Sequence, residues 1–373
     1  MSFLTKQSIL LLLSCVTIIH SQKLLAEPFE SLVPVYSKGD NLSDALIKPS
    51  IVFAEVRDLK EIKNMPAVLT QDDLGDCGAA SLSTIVQKHA CDKWPNKIPD
   101  CNKNLPQQFR ISSFGMMVYT NKDPAIDETF QPNKYVTRNM YNIIEKFAKD
   151  PIFILDSCKP FSNLINNFSL KGAVGLENRD KFFSYLRKLY ESNKAATEAN
   201  ISDCPECLAE ITKATGMNSN LFNLKKALTK DSYDKFMYSL FFDGCDFEDL
   251  ADAIKPYGYP DDATKATPVD VKNKIVEGLR KNKPVLFPSL CLSTDKNNVC
   301  KDGHSIVISG FKKVCNGSLC KDVFKVQNSW GESWQKANNE GWVDADILVN
   351  NSIRSVSQSE KYVPSATVIW LEP

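Results

Sequence analysis

One cysteine, one histidine and two side-chain amides are spaced along this chain as the parts of a nucleophilic site could be. The segment Gln71-Asp72-Asp73-Leu74-Gly75-Asp76-Cys77-Gly78-Ala79-Ala80-Ser81 leads into residues of helical period, Leu82, Ile85, Val86 and His89, which set one buried face. That pattern places Cys77 in the first turn of a helix. A thiol there faces unpaired backbone N–H groups and the positive end of the helix dipole, and both favour thiolate. A thiolate so placed is primed to attack carbonyl carbon. The competing reading is a buried structural cysteine, and Gly78, Ala79 and Ala80 suit close packing as well as they suit a site.

The chain has three histidines. His20 falls in the apolar N-terminal segment. His89 lies about twelve residues along the same helix as Cys77, roughly 18 Å away at about 1.5 Å per residue, and cannot reach the thiol. It is read as a surface or interface residue at the helix end, where a cationic ring suits the dipole. His304 remains as the candidate base, able to take a proton from a thiol and return it to a leaving amine near neutral pH. Asn328 can accept from an imidazole N–H and fix the ring, with bulky Trp330 keeping water off that contact. Gln71 offers amide N–H groups that, with the backbone N–H of Cys77, can hold an oxyanion. None of these roles requires a metal or an organic cofactor, and none is expected.

Gln71 six residues before Cys77, Gly75 two before it, Gly303-His304, and Asn328-Ser329-Trp330-Gly331-Glu332-Ser333-Trp334 followed by Glu340-Gly341-Trp342 resemble the papain family of cysteine peptidases, in the same order. The resemblance spans roughly residues 50 to 373, with a gap in the middle. It implies an α+β, papain-like two-lobe fold, with a helical lobe bearing Cys77, an antiparallel β lobe bearing His304 and Asn328, and a peptide or protein substrate held between them. It also implies catalytic roles for Cys77, His304, Asn328 and Gln71, with Gly75 and Trp330 in support. There are departures. Gly78 stands where the family usually has Trp, and Leu74 stands where it has a further cysteine. Roughly 227 residues separate Cys77 from His304, against about 130 to 150 in papain-type enzymes. Gln71 to Ser81 alone also resembles the bacteriocin-processing cysteine peptidases, but those orient histidine with aspartate, and the Asn328 motif decides against them. The alternatives carried forward are a catalytically inactive papain-like peptide-binding protein and an acyl transferase of transglutaminase type on the same Cys-His chemistry.

These residues need elements to hold them. Helical period recurs in Met140, Ile143, Ile144, Phe147 and Ala148, and again in Phe182, Phe183, Tyr185, Leu186, Leu189 and Tyr190. Thr267-Pro268 supplies the cap and first turn of another helix, running to about Lys281. Pro284 then opens an apolar, strand-like run through Leu292. In the segment 304–311, Ile306 and Ile308 share a face with His304; in the segment 322–330, Phe324 and Val326 share one with Asn328. Residues 341–348 and 366–371 are further strand candidates. The expected organisation is a signal peptide at 1–26, a tether or short pro-segment at 27–50 and one folded unit from about residue 51 to 373, with a helical insertion at about 161–242. A pro-segment that short cannot cover a cleft, so the insertion is expected to restrict access instead.

Twelve cysteines are consistent with export. With Cys15 in the signal and Cys77 left as the thiol, ten can pair. Cys91 with Cys101, Cys291 with Cys300 and Cys315 with Cys320 each frame a short loop. Cys158, Cys204, Cys207 and Cys245 stay unassigned among themselves, and Cys204-Pro205-Glu206-Cys207 is read as a structural thiol pair rather than a redox or metal motif. The N-terminal apolar run, Ile9 to Ile19, is too short for the roughly 20 residues a membrane span needs, so stable membrane insertion is not expected. A secreted or periplasmic protein is expected. Lipid anchoring at Cys15 is disfavoured because apolar residues continue past it. Lys plus Arg and Asp plus Glu number 45 each, which gives no electrostatic reason to expect nucleic acid as a partner.

Overall fold

The computed structural model describes residues 55–71, 77–98, 100–101, 105–113, 115–116, 140–149, 152–158, 175–194, 196–215, 220–245, 247–249, 254–260, 266–294, 296, 300–316, 318–352 and 367–372. The signal peptide and tether expected at 1–50, Gly75, and residues 161–174 of the insertion lie outside them.

The centre of the main sheet is built from apolar runs such as residues 285–287 and 368–371, whereas its outer strands carry many polar residues. Its strands are β1 (Glu55–Glu61), β4 (Lys255–Tyr259), β5 (Val285–Thr294), β6 (Cys300–Asn316), β7 (Leu319–Gln327), β8 (Trp342–Asp344) and β9 (Val368–Glu372); β2 (Ile152–Ile154) and β3 (Phe247–Asp249) pair separately. The order is β4-β9-β5-β6-β7-β8 and every pairing is antiparallel. The long strand β6 is shared. Its first half pairs with β5 and its second half with β1, while β7 takes the other edge.

Side-chain alternation divides the sheet into two buried faces. Leu286 sits opposite Val307 and Ile369, and these three join the helical core. Val285, Phe287, Ile306, Ile308, Val368 and Trp370 form a second core with two helices on the opposite face. Those helices are α7 (Pro268–Arg280), which supplies Val271, Ile275 and Leu279, and α9 (Ala345–Asn350), which supplies Leu348 and Val349. Helix α7 starts as its sequence demands, with Pro268 in the first turn and a reciprocal capping box between Thr267 and Asp270.

On the helical side, α1 (Cys77–Lys93) packs on β5, β6 and β9. The one-faced pattern expected for it does not hold, because nearly every residue from Cys77 to Cys91 is buried. Its polar residues are buried with partners. Gln87 accepts from the Ile111 backbone N–H at 2.7 Å and donates to the Phe109 carbonyl at 3.1 Å, and Ser83 meets Ser113 at 2.8 Å. Buried polar groups are tolerated only when satisfied in this way. The other helices on this side are α2 (Met140–Lys149), α3 (Gly175–Asn193), α4 (Pro205–Thr215), α5 (Leu221–Leu228) and α6 (Tyr233–Phe242). The insertion does not form a separate unit: Phe182, Phe183, Leu186, Ile211, Leu224 and Phe236 belong to the same apolar core as Leu82 and Ile85.

The chain is therefore of mixed helix and antiparallel sheet, α+β. Disulfides join Cys91 to Cys101, Cys158 to Cys245, Cys204 to Cys207 and Cys315 to Cys320, and Cys291 is disulfide-bonded as well. That resolves the four cysteines the sequence left open. Such bonds fit an oxidising compartment. Among the described residues, no helix is long and apolar enough to cross a membrane.

Two expectations are corrected. The strand expected at 341–348 ends after β8, because the Asp344 side chain accepts from the N–H groups of Asp346 and Ile347 and caps α9 in its place. His89 does not stand on the open surface. It is partly buried, and burial first, then Lys283 and Lys93, push its pKa below the usual imidazole range.

Candidate active site

The segment after β1 brings Gln71 to the end of β7. Ile62 N–H donates to the Ser309 carbonyl at 2.9 Å, Gln327 Nε2 donates to the Pro66 carbonyl at 2.7 Å, and Thr70 bridges to Trp330. The Gln71 N–H then donates to the Ser329 carbonyl at 2.8 Å. This close seam requires Gly331, whose φ is +91° and where a β-carbon would stand 2.5 Å from Thr70 Oγ1. At its end the Gln71 side chain is held by one oxygen. Ser329 Oγ donates to Gln71 Oε1, and Gln71 Nε2 is buried with no hydrogen-bond partner among the described residues. A buried N–H donor without an acceptor costs free energy, and a site that receives negative charge is one setting in which it becomes useful.

His304 lies within β6, opposite Leu290 of β5, and Asn328 directly follows the last residue of the neighbouring strand β7. Their contact, 2.9 Å between His304 Nε2 and Asn328 Oδ1, has one polarity, since an amide oxygen only accepts. Nε2 therefore carries the proton, and Nδ1 is the basic nitrogen. Trp330 stacks on the imidazole with centroids 4.8 Å apart and planes at 27°, and Trp334 meets Trp330 edge-on at 5.7 Å. Gln71, His304 and Asn328 are 0% exposed and Cys77 is 5% exposed. Burial pushes the His304 pKa down to about 4, opposed in part by its hydrogen bond to Asn328. At neutral pH the ring is thus neutral, the form that can accept a proton.

Cys77 is the first residue of α1 and lies outside the disulfides. It sits at the N-terminus of the helix that packs on β6, the strand carrying His304. The structure thus joins Gln71 to Ser329, and His304 to Asn328 and Trp330. Gly75 is outside the described residues.

No family model matches this chain, and no curated protein matches it.

Two supporting residues were not legible in the sequence. Ser329 turns the Gln71 amide, a role its place beside Asn328 did not announce. Gln335, on α8 (Glu332–Ala337), is buried; its Oε1 accepts from the Asn328 N–H at 3.3 Å, and its Nε2 donates to the carbonyls of Val326 and, at 3.3 Å, Glu340. It fixes the backbone from which Asn328 projects. The only available signal was its position just after Trp334, and a glutamine on a six-residue helix reads as exposed.

The depressed His304 pKa has a defined consequence for stability. Between about pH 6.5, where the unfolded chain titrates, and about pH 4, the unfolded state binds the proton more readily than the folded one. Stability is fully present above that window and is lost as pH falls through it, by about 3 kcal/mol. Denaturant melts of wild type and His304→Gln across pH 7 to 4 should differ in slope over that interval; parallel curves would contradict the assignment.

Proposed function

We propose that the protein is an exported cysteine peptidase of papain-like, two-lobe architecture, hydrolysing peptide bonds through a thioester on Cys77. The observation that carries this reading is the His304 Nε2–H to Asn328 Oδ1 contact, which leaves Nδ1 as the base. In the proposed cycle Nδ1 takes the Cys77 proton and the thiolate attacks the peptide carbonyl. The oxyanion rests on Gln71 Nε2–H and the Cys77 backbone N–H. Collapse expels the amine, which takes its proton from His304. Water then attacks the thioester, giving a proton to Nδ1; the C–S bond breaks, the acid product leaves, and Nδ1 returns the proton to the Cys77 sulfur.

Burial disfavours the imidazolium this cycle needs, so the proton transfer relies on the thiolate left behind at the N-terminus of α1 as counter-charge. The disulfides support export, and the packing of α3 to α6 into the core of α1 supports an insertion that enlarges the Cys77 side of the molecule.

An assay of the oxidised protein on short fluorogenic peptides and an unfolded protein, in ¹⁸O-water with and without an amine acceptor, tests the reading. New C-termini carrying ¹⁸O are expected. Amine-capped products would replace hydrolysis with acyl transfer, and absence of any product would favour the peptide-holding role.

A further inference from the structure

The four-residue loop of Cys204-Pro205-Glu206-Cys207 opens α4, and its cysteines are joined in a disulfide. Three features of this bond bear on its reactivity, and the first sets it apart from the other described pairs. First, it closes the shortest loop, with a sequence separation of 3 against 5, 10 and 87. Opening it releases little chain entropy, so reduction there is decoupled from unfolding. The bonds Cys158–Cys245 and Cys91–Cys101, by contrast, tie distant or buried parts of the core.

Second, the two cysteines differ in access. Cys204 precedes the helix and is partly exposed, whereas Cys207 is buried. A thiol from solution therefore meets Cys204 first, and Cys207 is the leaving sulfur held in reserve. Third, Cys204 Sγ already accepts a hydrogen bond, from the Cys207 N–H at 3.2 Å, and lies at the positive end of an eleven-residue helix. Both stabilise a thiolate at Cys204 once the bond is open. Asp203 and Glu206 oppose that charge, but both are exposed, and Asp203 is paired with Lys225 of α5 at 2.6 Å. A direct N–H contact outweighs screened carboxylates.

We infer that Cys204–Cys207 is a redox-active disulfide that exchanges electrons with dithiols, independently of the Cys77 site. One thiolate of the dithiol attacks Cys204 Sγ, forming a mixed disulfide and breaking the Cys204–Cys207 bond. The electron pair leaves on the Cys207 sulfur, which takes a proton from water. The second thiol of the reductant, losing its proton, then attacks its partner sulfur in the mixed disulfide and releases Cys204 as thiolate. Two electrons pass to the protein, and the dithiol leaves as a cyclic disulfide.

The test is a titration of the oxidised full chain with dithiothreitol under native conditions, with acid quenching, alkylation of the thiols and peptide mapping. Cys204 and Cys207 should become labelled together at a dithiothreitol concentration at least tenfold lower than Cys91, Cys101, Cys158 or Cys245, with unchanged circular dichroism, and oxidised glutathione should re-form the pair. In a Cys207→Ala variant, oxidised glutathione should form a stable mixed disulfide at Cys204. Opening of this pair only together with the others, or only with loss of helical signal, would overturn the inference, as would a Cys207→Ala variant whose Cys204 takes up no glutathione.

Discussion

Cys77→Ala is expected to lower kcat/KM for peptide hydrolysis by about four orders of magnitude or more, because no other group supplies the nucleophile. Asn328→Ala should cost far less, about a hundredfold, since His304 still samples the productive orientation, only less often. The contrast separates a chemical role from an orienting one. It is readable because Cys77 is replaced by a residue of similar shape at the start of α1, where the loss of one buried sulfur costs about 1 kcal/mol and leaves the helix in place. Steady-state kinetics on a fluorogenic peptide, with thermal melts as the folding control, measure both. Undiminished turnover in Cys77→Ala would remove the mechanism, and equal losses in the two variants would remove the division of roles.

Gly341→Ala is expected to destabilise the protein by roughly 3 kcal/mol or more and to impair the site at a distance. The backbone at Gly341 has φ +82°, and a β-carbon there would overlap both Gln335 Nε2 and the Val326 carbonyl oxygen. Those two groups are hydrogen-bonded to each other, and Gln335 also receives the Asn328 N–H. Displacing the glutamine thus strands a buried carbonyl and frees the turn that carries Asn328. Denaturant melts should show the stability loss, and kcat should fall with it while KM changes little. A melt indistinguishable from wild type would show that the Gln335 clamp is not structurally required.

The elements that carry the candidate site were legible in the sequence where chemistry and local pattern coincide. The helical period after Cys77, the strand parity of His304 and Asn328, and the Thr267-Pro268 helix start are all set by near neighbours in the chain, and each element is found with its ends shifted by only a few residues. What remained hidden depends on distant partners. The period of α1 suggested one buried face, but its small and polar residues are enclosed by segments such as 109–113, which satisfy Gln87 and Ser83. His89 looked cationic from its place near a helix end, and it is the neighbouring Lys283, far along the chain, that helps make it less so. Cys158 with Cys245, 87 residues apart, has no local signal at all. Gln335 was missed for the same reason, since its three hydrogen bonds exist only once β7, α8 and the Gly341 turn are assembled.

The central claim, a reactive thiol at Cys77 served by His304, is tested most directly by a peptidyl epoxide or diazomethyl ketone applied to the oxidised native protein. One equivalent should attach to Cys77, found by peptide mapping, with turnover lost in proportion and the labelling rate much reduced in His304→Ala. Turnover that persists with Cys77 fully labelled, or a Cys77 that stays unmodified while the protein cleaves peptides, would contradict the account.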